Sequence, residues 1–233
     1  MTDALRALQQ ALRYRFNNTA LLEQALTHRS AGGQHYERLE YLGDGLLNFV
    51  IGEAAYTQWP KAPEGDLSRL RASLVCEDML AKLGKGLQLS EHLRMGSGEL
   101  KSGGYRRESI LADALEALVG AIYLDGGFAP ARETVLHLFA AELTTLPEPE
   151  TLKDSKTRLQ EYLQSDGRPL PEYRVLQEHG PPHRRIFQVA CKLADSGLET
   201  ESGGTSRKQA EQDAARLMVE KLISNKSKGT TNA

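Results

Sequence analysis

A chain of 233 residues, 40% hydrophobic and 26% charged, holds enough apolar material for one large domain or two modest ones. No apolar run is long enough to span a bilayer and the first residues lack the apolar core of a signal peptide, so the expected location is the cytoplasm, away from membranes. Cys76 and Cys191 are far apart and outside any CxxC, so neither a disulfide framework nor a zinc site is suggested, and the net charge of −2 hides an asymmetry: 15 Lys and Arg against 20 Asp and Glu over residues 1–150, but 14 against 11 over 151–233.

Ala4, Leu5, Leu8 and Leu12 predict an amphipathic opening helix, and Leu21, Leu22, Ala25 and Leu26 a short second one. His28 follows in Leu26-Thr-His-Arg-Ser30, where a lone His is more often structural than catalytic. A long helix then runs from Tyr36 to about Gln58, where Trp59-Pro60 stops it. Its Leu39, Leu42, Leu46, Leu47 and Val50 recur at helical spacing, while Glu37, Glu40 and Asp44 stand at i, i+3 and i+7 on one face. A further helix from Gly65 onward carries Leu67, Leu70, Leu74 and Leu80 inward. Residues 94–107 mix glycine with Lys101, Arg106 and Arg107, and without a GxxxxGK[ST] pattern the flexible connector is favoured over a phosphate-touching loop. The helix Glu108–Leu124 holds a second acidic pair, Asp113 and Glu116, and another helix runs from about Pro130 through Leu143.

Should the two acidic helices pack together, Glu40, Asp44, Asp113 and Glu116 converge. Two carboxylates about 5 Å apart repel by roughly 3 kcal/mol at the effective dielectric of a partly buried site. Four of them would strain a domain whose whole stability is about 5–15 kcal/mol. The groups therefore spread over a wet surface, take up protons, or hold a cation. An oxygen-only donor set suits a hard ion such as Mg²⁺ or Mn²⁺. A solvated acidic face is the plain alternative.

Residues 146–153, with two prolines and no periodic apolar positions, have linker composition. Beyond them the pattern changes to helix (154–164), strands over 171–177 and 186–193, a weaker strand over 198–202, and a final helix opened by a Ser206–Gln209 capping box. The expected fold is an all-α domain, residues 1–145, followed by a small α+β (α-β-β-β-α) domain, 154–224, and a disordered polar tail, 225–233.

Leu26-Thr-His28, Glu37-Arg-Leu-Glu-Tyr-Leu-Gly-Asp44 and the Asp113–Gly127 segment, in this order, resemble the signature segments of bacterial ribonuclease III. The C-terminal part is similar to a double-stranded-RNA-binding domain. The resemblance implies an endonuclease that hydrolyses the backbone of double-stranded RNA with Mg²⁺, leaving 5′-phosphate and 3′-hydroxyl ends with short 3′ overhangs. It implies substrates among rRNA precursors and structured mRNAs, and a homodimer. It assigns Glu40, Asp44, Asp113 and Glu116 to the metal, Asp44 and Glu116 closest to the chemistry, with Glu37 and Glu64 lining the cleft. Tyr41 stands where the family has a Phe that plugs into the partner subunit, and Tyr36 and Gly45 are further departures. In the second domain it implies RNA contacts from Thr157, Gln160, Glu161 and Gln164 on one helix face, from His183 in the Gly180–His183 turn, and from Arg207 and Lys208 at a helix N-terminus. Glu211 stands where a third cation is usual. Two readings of other classes remain open, a non-cleaving RNA-binding regulator and a metal-dependent nucleotide pyrophosphohydrolase.

Overall fold

The structure, a computed structural model, describes residues 2–145, 153–181 and 184–229. The chain divides into two compact units, Met1–Leu152 and Lys153–Ala233. The expected linker lies, apart from Lys153, outside the described residues, as does His183.

In the first unit α1 (Asp3–Ala11) is capped by the Thr2 hydroxyl, which accepts from the Leu5 amide at 3.4 Å, and α2 (Thr19–Ala25) by Asn18. A 3₁₀ turn at Arg29–Ala31 leads to α3 (Glu37–Gln58), α4 (Glu64–Leu74) and α5 (Glu77–Gly86). Then come α6 (Ser97–Lys101), α7 (Glu108–Gly126), α8 (Phe128–Leu138) and α9 (Ala140–Thr144). Eleven of the 19 residues of α7 are buried, so its apolar surface wraps most of the helix and places it at the centre. Helices α2, α3, α5 and α8 pack around it. Among the described residues no helix is long and apolar enough to cross a membrane.

Two predicted helices are interrupted. The one expected from Gly65 through Leu80 breaks between α4 and α5, because Cys76 takes an extended backbone (φ −78°, ψ 156°) and its thiol donates to the Ser73 carbonyl at 3.3 Å. The one expected over 130–143 begins at Phe128 and turns at Phe139, whose ring is fully buried. Local periodicity does not show such breaks, since leucines on either side keep their spacing.

Asp125, in sequence only the last residue before a Gly-Gly helix stop, ties the C-terminal end of α7 to the segment that follows α1. Its carboxylate accepts from the Tyr14 hydroxyl at 2.7 Å and from the amides of Asn17 and Asn18 at 2.8 Å each. Burial raises its pKa, but these three donors outweigh that and hold it below the ordinary value. Asp125→Ala should destabilise the chain by about 1–2 kcal/mol through the loss of charge-assisted bonds at a partly wet site. Urea unfolding measures this, and an unchanged midpoint would contradict it.

In the second unit α10 (Ser155–Ser165) is capped by Asp154, which accepts from the Thr157 amide at 2.9 Å. Strands β1 (Glu172–His179), β2 (Ile186–Lys192) and β3 (Glu199–Gly204) form an antiparallel sheet in the order β1-β2-β3, with a bulge between Val175 and Gln177. Val189, Cys191 and Leu193 are buried as their alternation predicts; Ala190, on the opposite face, is buried as well. Leu159 and Leu163 of α10 join Cys191, Leu193, Ala214 and Met218 in a second core. The last helix, α11 (Arg207–Gly229), extends five residues past Ser224, into the segment expected as a disordered tail. Adding residues to an existing helix avoids the cost of nucleation, so a polar sequence can continue it. Of the predicted capping box one half is present: the Gln209 amide donates to the Ser206 hydroxyl at 3.1 Å, while the Gln209 side chain donates to Asp213 at 2.8 Å.

Candidate active site

Helices α3 and α7 touch backbone to backbone. A Cβ placed on Gly43 would overlap the carbonyl oxygen of Glu116, and one on Gly120 would overlap that of Leu39. Only glycine allows this approach. Glu40 precedes Gly43 by one helical turn and Glu116 precedes Gly120 by about one, so both carboxylates project beside the crossing.

Glu40, Asp113 and Glu116, all half-buried, each offer an oxygen within 4.8 Å of the others. Asp44 is exposed and outside this tight group; Asn48 donates to its carboxylate at 2.8 Å. It stands near enough to act on both neighbours electrostatically. Glu116 is pushed up to about 8 by burial, then by Asp44, Glu40 and Asp113. Glu40 is raised by burial and by Asp113, Glu37 and Asp44. Asp113 is raised by burial against the lowering effects of the Tyr36 hydroxyl, His28 and Arg29. Three oxygen donors held together against their own repulsion, without enough neighbouring positive charge, fit a divalent cation and explain why the pocket raises rather than lowers their pKa values.

A recess of about 470 Å³ opens beside the cluster, lined by Tyr36, Glu37, Glu40 and Asp113 on one side and by Arg29 and Arg107 among others on the other. The Tyr36 hydroxyl reaches Asp113 at 3.5 Å, and burial, then Asp113, Glu40 and Glu37, raise its own pKa. Glu37 is exposed and pairs with Arg29 at 3.4 Å. Glu64 opens α4 and accepts from the Ser68 hydroxyl at 2.7 Å; it is not among the groups that raise Glu40 or Glu116. Arg107 pairs with Glu99 at 3.0 Å on the wall of the recess, so the glycine-rich stretch expected as a connector brings a cation to the site. Arg29, Glu99 and Arg107 carried no spacing signal; the only sequence cue was a basic pair directly before the second acidic helix.

In the second unit Gln160, Glu161 and Gln164 are exposed along α10, with Glu161 paired to Lys153 at 2.6 Å. The Thr157 hydroxyl is engaged with Asp154 at 3.0 Å. Arg207 and Lys208 are exposed at the start of α11, but Arg207 is paired with Glu211 at 2.8 Å, and Glu211 also takes Lys156 at 2.7 Å. Tyr41 is 82% exposed, on α3, beside a recess of about 690 Å³ lined by Leu39, Leu42 and Leu124 among others.

The family described as Ribonuclease-III-like matches residues 18–143, and the Double-stranded RNA binding motif matches 155–222. "Ribonuclease 3" of Alkalilimnicola ehrlichii is 56% identical over 216 residues, 93% of this chain and 95% of that protein. "Ribonuclease 3" of Xanthomonas axonopodis pv. citri is 55% identical over 210 residues, 90% of this chain and 93% of that one. The nuclease domain of ribonuclease III from Campylobacter jejuni, solved with a flexible region involved in dimer formation, is similar at 43% identity and a TM-score of 0.58, covering 59% of this chain and 96% of that domain. With both parts matched in order, this chain belongs to the ribonuclease III family of endoribonucleases, a helical nuclease domain followed by a double-stranded-RNA-binding motif.

Proposed function

We propose that this chain is a homodimeric, Mg²⁺-dependent endoribonuclease of the cytoplasm that cuts both strands of duplex RNA, Mn²⁺ substituting for Mg²⁺. Its products would carry 5′-phosphate and 3′-hydroxyl ends with short 3′ overhangs, and its substrates would be rRNA precursors and structured mRNAs. The observation that carries the reading is the meeting of Glu40, Asp113 and Glu116 around one point at the rim of a recess that also bears arginines. Those three residues would hold the ion, with Asp44 beside Glu116. Bound there, a divalent ion supplies a Lewis acid that activates water and offsets charge on the leaving O3′. The protein's own part is positional. The α3–α7 crossing fixes the carboxylates, the Tyr36 hydroxyl orients Asp113, and Arg29 and Arg107 offer positive charge to a phosphodiester entering the recess. Domains 1–145 and 154–224 divide the work between cutting and holding.

An exposed tyrosine beside an apolar recess on the same helix suits a twofold interface, in which each copy inserts Tyr41 into the other. Two sites related by such an axis match the two antiparallel strands of a duplex. A long duplex incubated with Mg²⁺ should be cut, whereas its separate strands, or the duplex with Ca²⁺ or EDTA, should not; faster turnover of nucleoside triphosphates than of duplex would remove the proposal.

Duplex affinity in the second domain is tempered by Glu211, which occupies both Lys156 and Arg207. Glu211→Gln should release these cations to phosphates, tighten duplex binding and steepen its salt dependence by roughly one unit on a log–log plot. A salt titration of binding in EDTA checks this, and an unchanged slope would confine Glu211 to tying α10 to α11.

A further inference from the structure

The first unit is acidic overall, yet at the C-terminal end of α1 it gathers three arginines around a separate recess of about 430 Å³, lined by Arg6, Gln9, Gln10, Arg13, Tyr14 and Arg15. Arg6 pairs with Asp3 at 3.3 Å on the surface, but among the described residues Arg13 and Arg15 make no ion pair. The carboxylate that ties this segment down, Asp125, is already taken by Tyr14, Asn17 and Asn18. The recess therefore carries positive charge that the fold does not neutralise.

The backbone gives a second, independent sign. Arg13 sits at φ +53°, in the left-handed region, in the turn that closes α1 through bonds from its own amide to the Gln10 carbonyl at 3.0 Å and from Tyr14 to Gln9 at 3.1 Å. This is the place where helices usually put glycine, because a side chain there is strained. A long cationic side chain is kept at a position where folding alone favours none. Gln9 is buried and spans the turn, its side-chain oxygen accepting from the Phe16 amide at 2.8 Å and its side-chain nitrogen donating to the Leu5 carbonyl at 3.2 Å, so the floor of the recess is fixed before any ligand arrives.

We propose that this recess is an anion site for a phosphate group, with Arg13 and Arg15 as its cations and Arg6 recruited from Asp3. It is distinct from the acidic cluster: Asp125, which anchors its wall, lies nine residues beyond Glu116 along α7, about 14 Å at helical rise. The same chemistry serves the backbone of an RNA duplex or a small phosphorylated molecule. A merely structural role, in which the arginines offset the C-terminal dipole of α1, is the rival.

The test uses the full chain in EDTA, with Arg13→Gly and the pair Arg13→Gly, Arg15→Gln. Glycine relieves the backbone strain, so the proposal expects an equal or higher melting temperature for Arg13→Gly; a structural role predicts a fall. Inorganic pyrophosphate should raise the melting temperature of the wild type, and the double variant should lose at least half of that shift while Lys61→Gln, at an exposed cation outside both sites, keeps it. In parallel, duplex binding is titrated with salt. A log–log slope shallower by about one in the double variant assigns the site to RNA phosphates. Loss of the pyrophosphate shift with an unchanged slope assigns it to a small phosphorylated ligand. If neither measurement distinguishes the double variant from the wild type, or Arg13→Gly melts lower, the proposal is overturned.

Discussion

Replacing Glu116 by glutamine should reduce duplex cleavage by on the order of 10³-fold, since the proposed ion would lose a ligand and each 1.4 kcal/mol of transition-state stabilisation is a factor of ten. Duplex binding should change by less than about threefold, because the double-stranded-RNA-binding motif lies in residues 155–222, a domain to which Glu116 does not belong. The variant should also differ in stability, in a direction that a purely structural glutamate would not give. Folding raises the Glu116 pKa from 4.5 to about 8, chiefly by burial, with Asp44, Glu40 and Asp113 adding repulsion. The folded state thus holds this proton more tightly than the unfolded chain. The stability associated with it is complete below about pH 4.5 and is lost as pH rises toward 8. Glutamine has no such loss. In chelator at pH 8 the variant should be more stable than the wild type, by about 2 kcal/mol once solvent screening of a half-buried group is allowed for. Added Mg²⁺ should reverse the order by stabilising the wild type alone. Wild-type cleavage by the variant would remove Glu116 from the reaction, and equal melting curves in chelator would show that the carboxylates do not repel as their geometry requires.

That experiment also bears on how far the sequence is legible. The i, i+3, i+7 spacing of Glu37, Glu40 and Asp44 placed them on one face of α3, and the Asp113–Glu116 pair was as plain on α7. Spacing alone could not say that the two faces meet, because helix spacing is a local property and the crossing of α3 with α7 is not. Nor did it rank the acids: Glu40 turns into the cluster while Asp44 faces solvent beside Asn48, a distinction set by which side of the crossing each side chain leaves. Strands β1 to β3 were visible because their alternation has a period that no helix shares. The interruption at Cys76 and the arginines of the recess were not, since a backbone bend and a loop's trajectory leave no periodic trace.

Gly43 holds the determinant of that crossing, and Gly43→Ala should be the most damaging of the small substitutions. In the interior of a helix alanine is favoured over glycine by about 1 kcal/mol, so an isolated α3 would gain from the change. In the folded protein the new methyl would overlap the Glu116 carbonyl oxygen, lie 2.6 Å from its carbon and 3.1 Å from the Gly120 nitrogen. Those are backbone atoms of a buried helix and cannot turn aside as a side chain would. The helices must separate, leaving a net loss of about 1–3 kcal/mol from overpacking. A shift of about 1 Å between Glu40 and Glu116 would cost roughly 10² in cleavage rate even in molecules that remain folded. Gly45→Ala, two residues along the same helix, is the control: its Cβ would meet nothing within 4 Å. It should keep cleavage and add about 0.5–1 kcal/mol of stability. Opposite signs for the same chemical change, read from urea midpoints and duplex cleavage, would mean that the contact of α3 with α7 sets the acidic site; parallel effects would mean that the two glycines act through helix propensity and that the crossing is not what gathers the carboxylates.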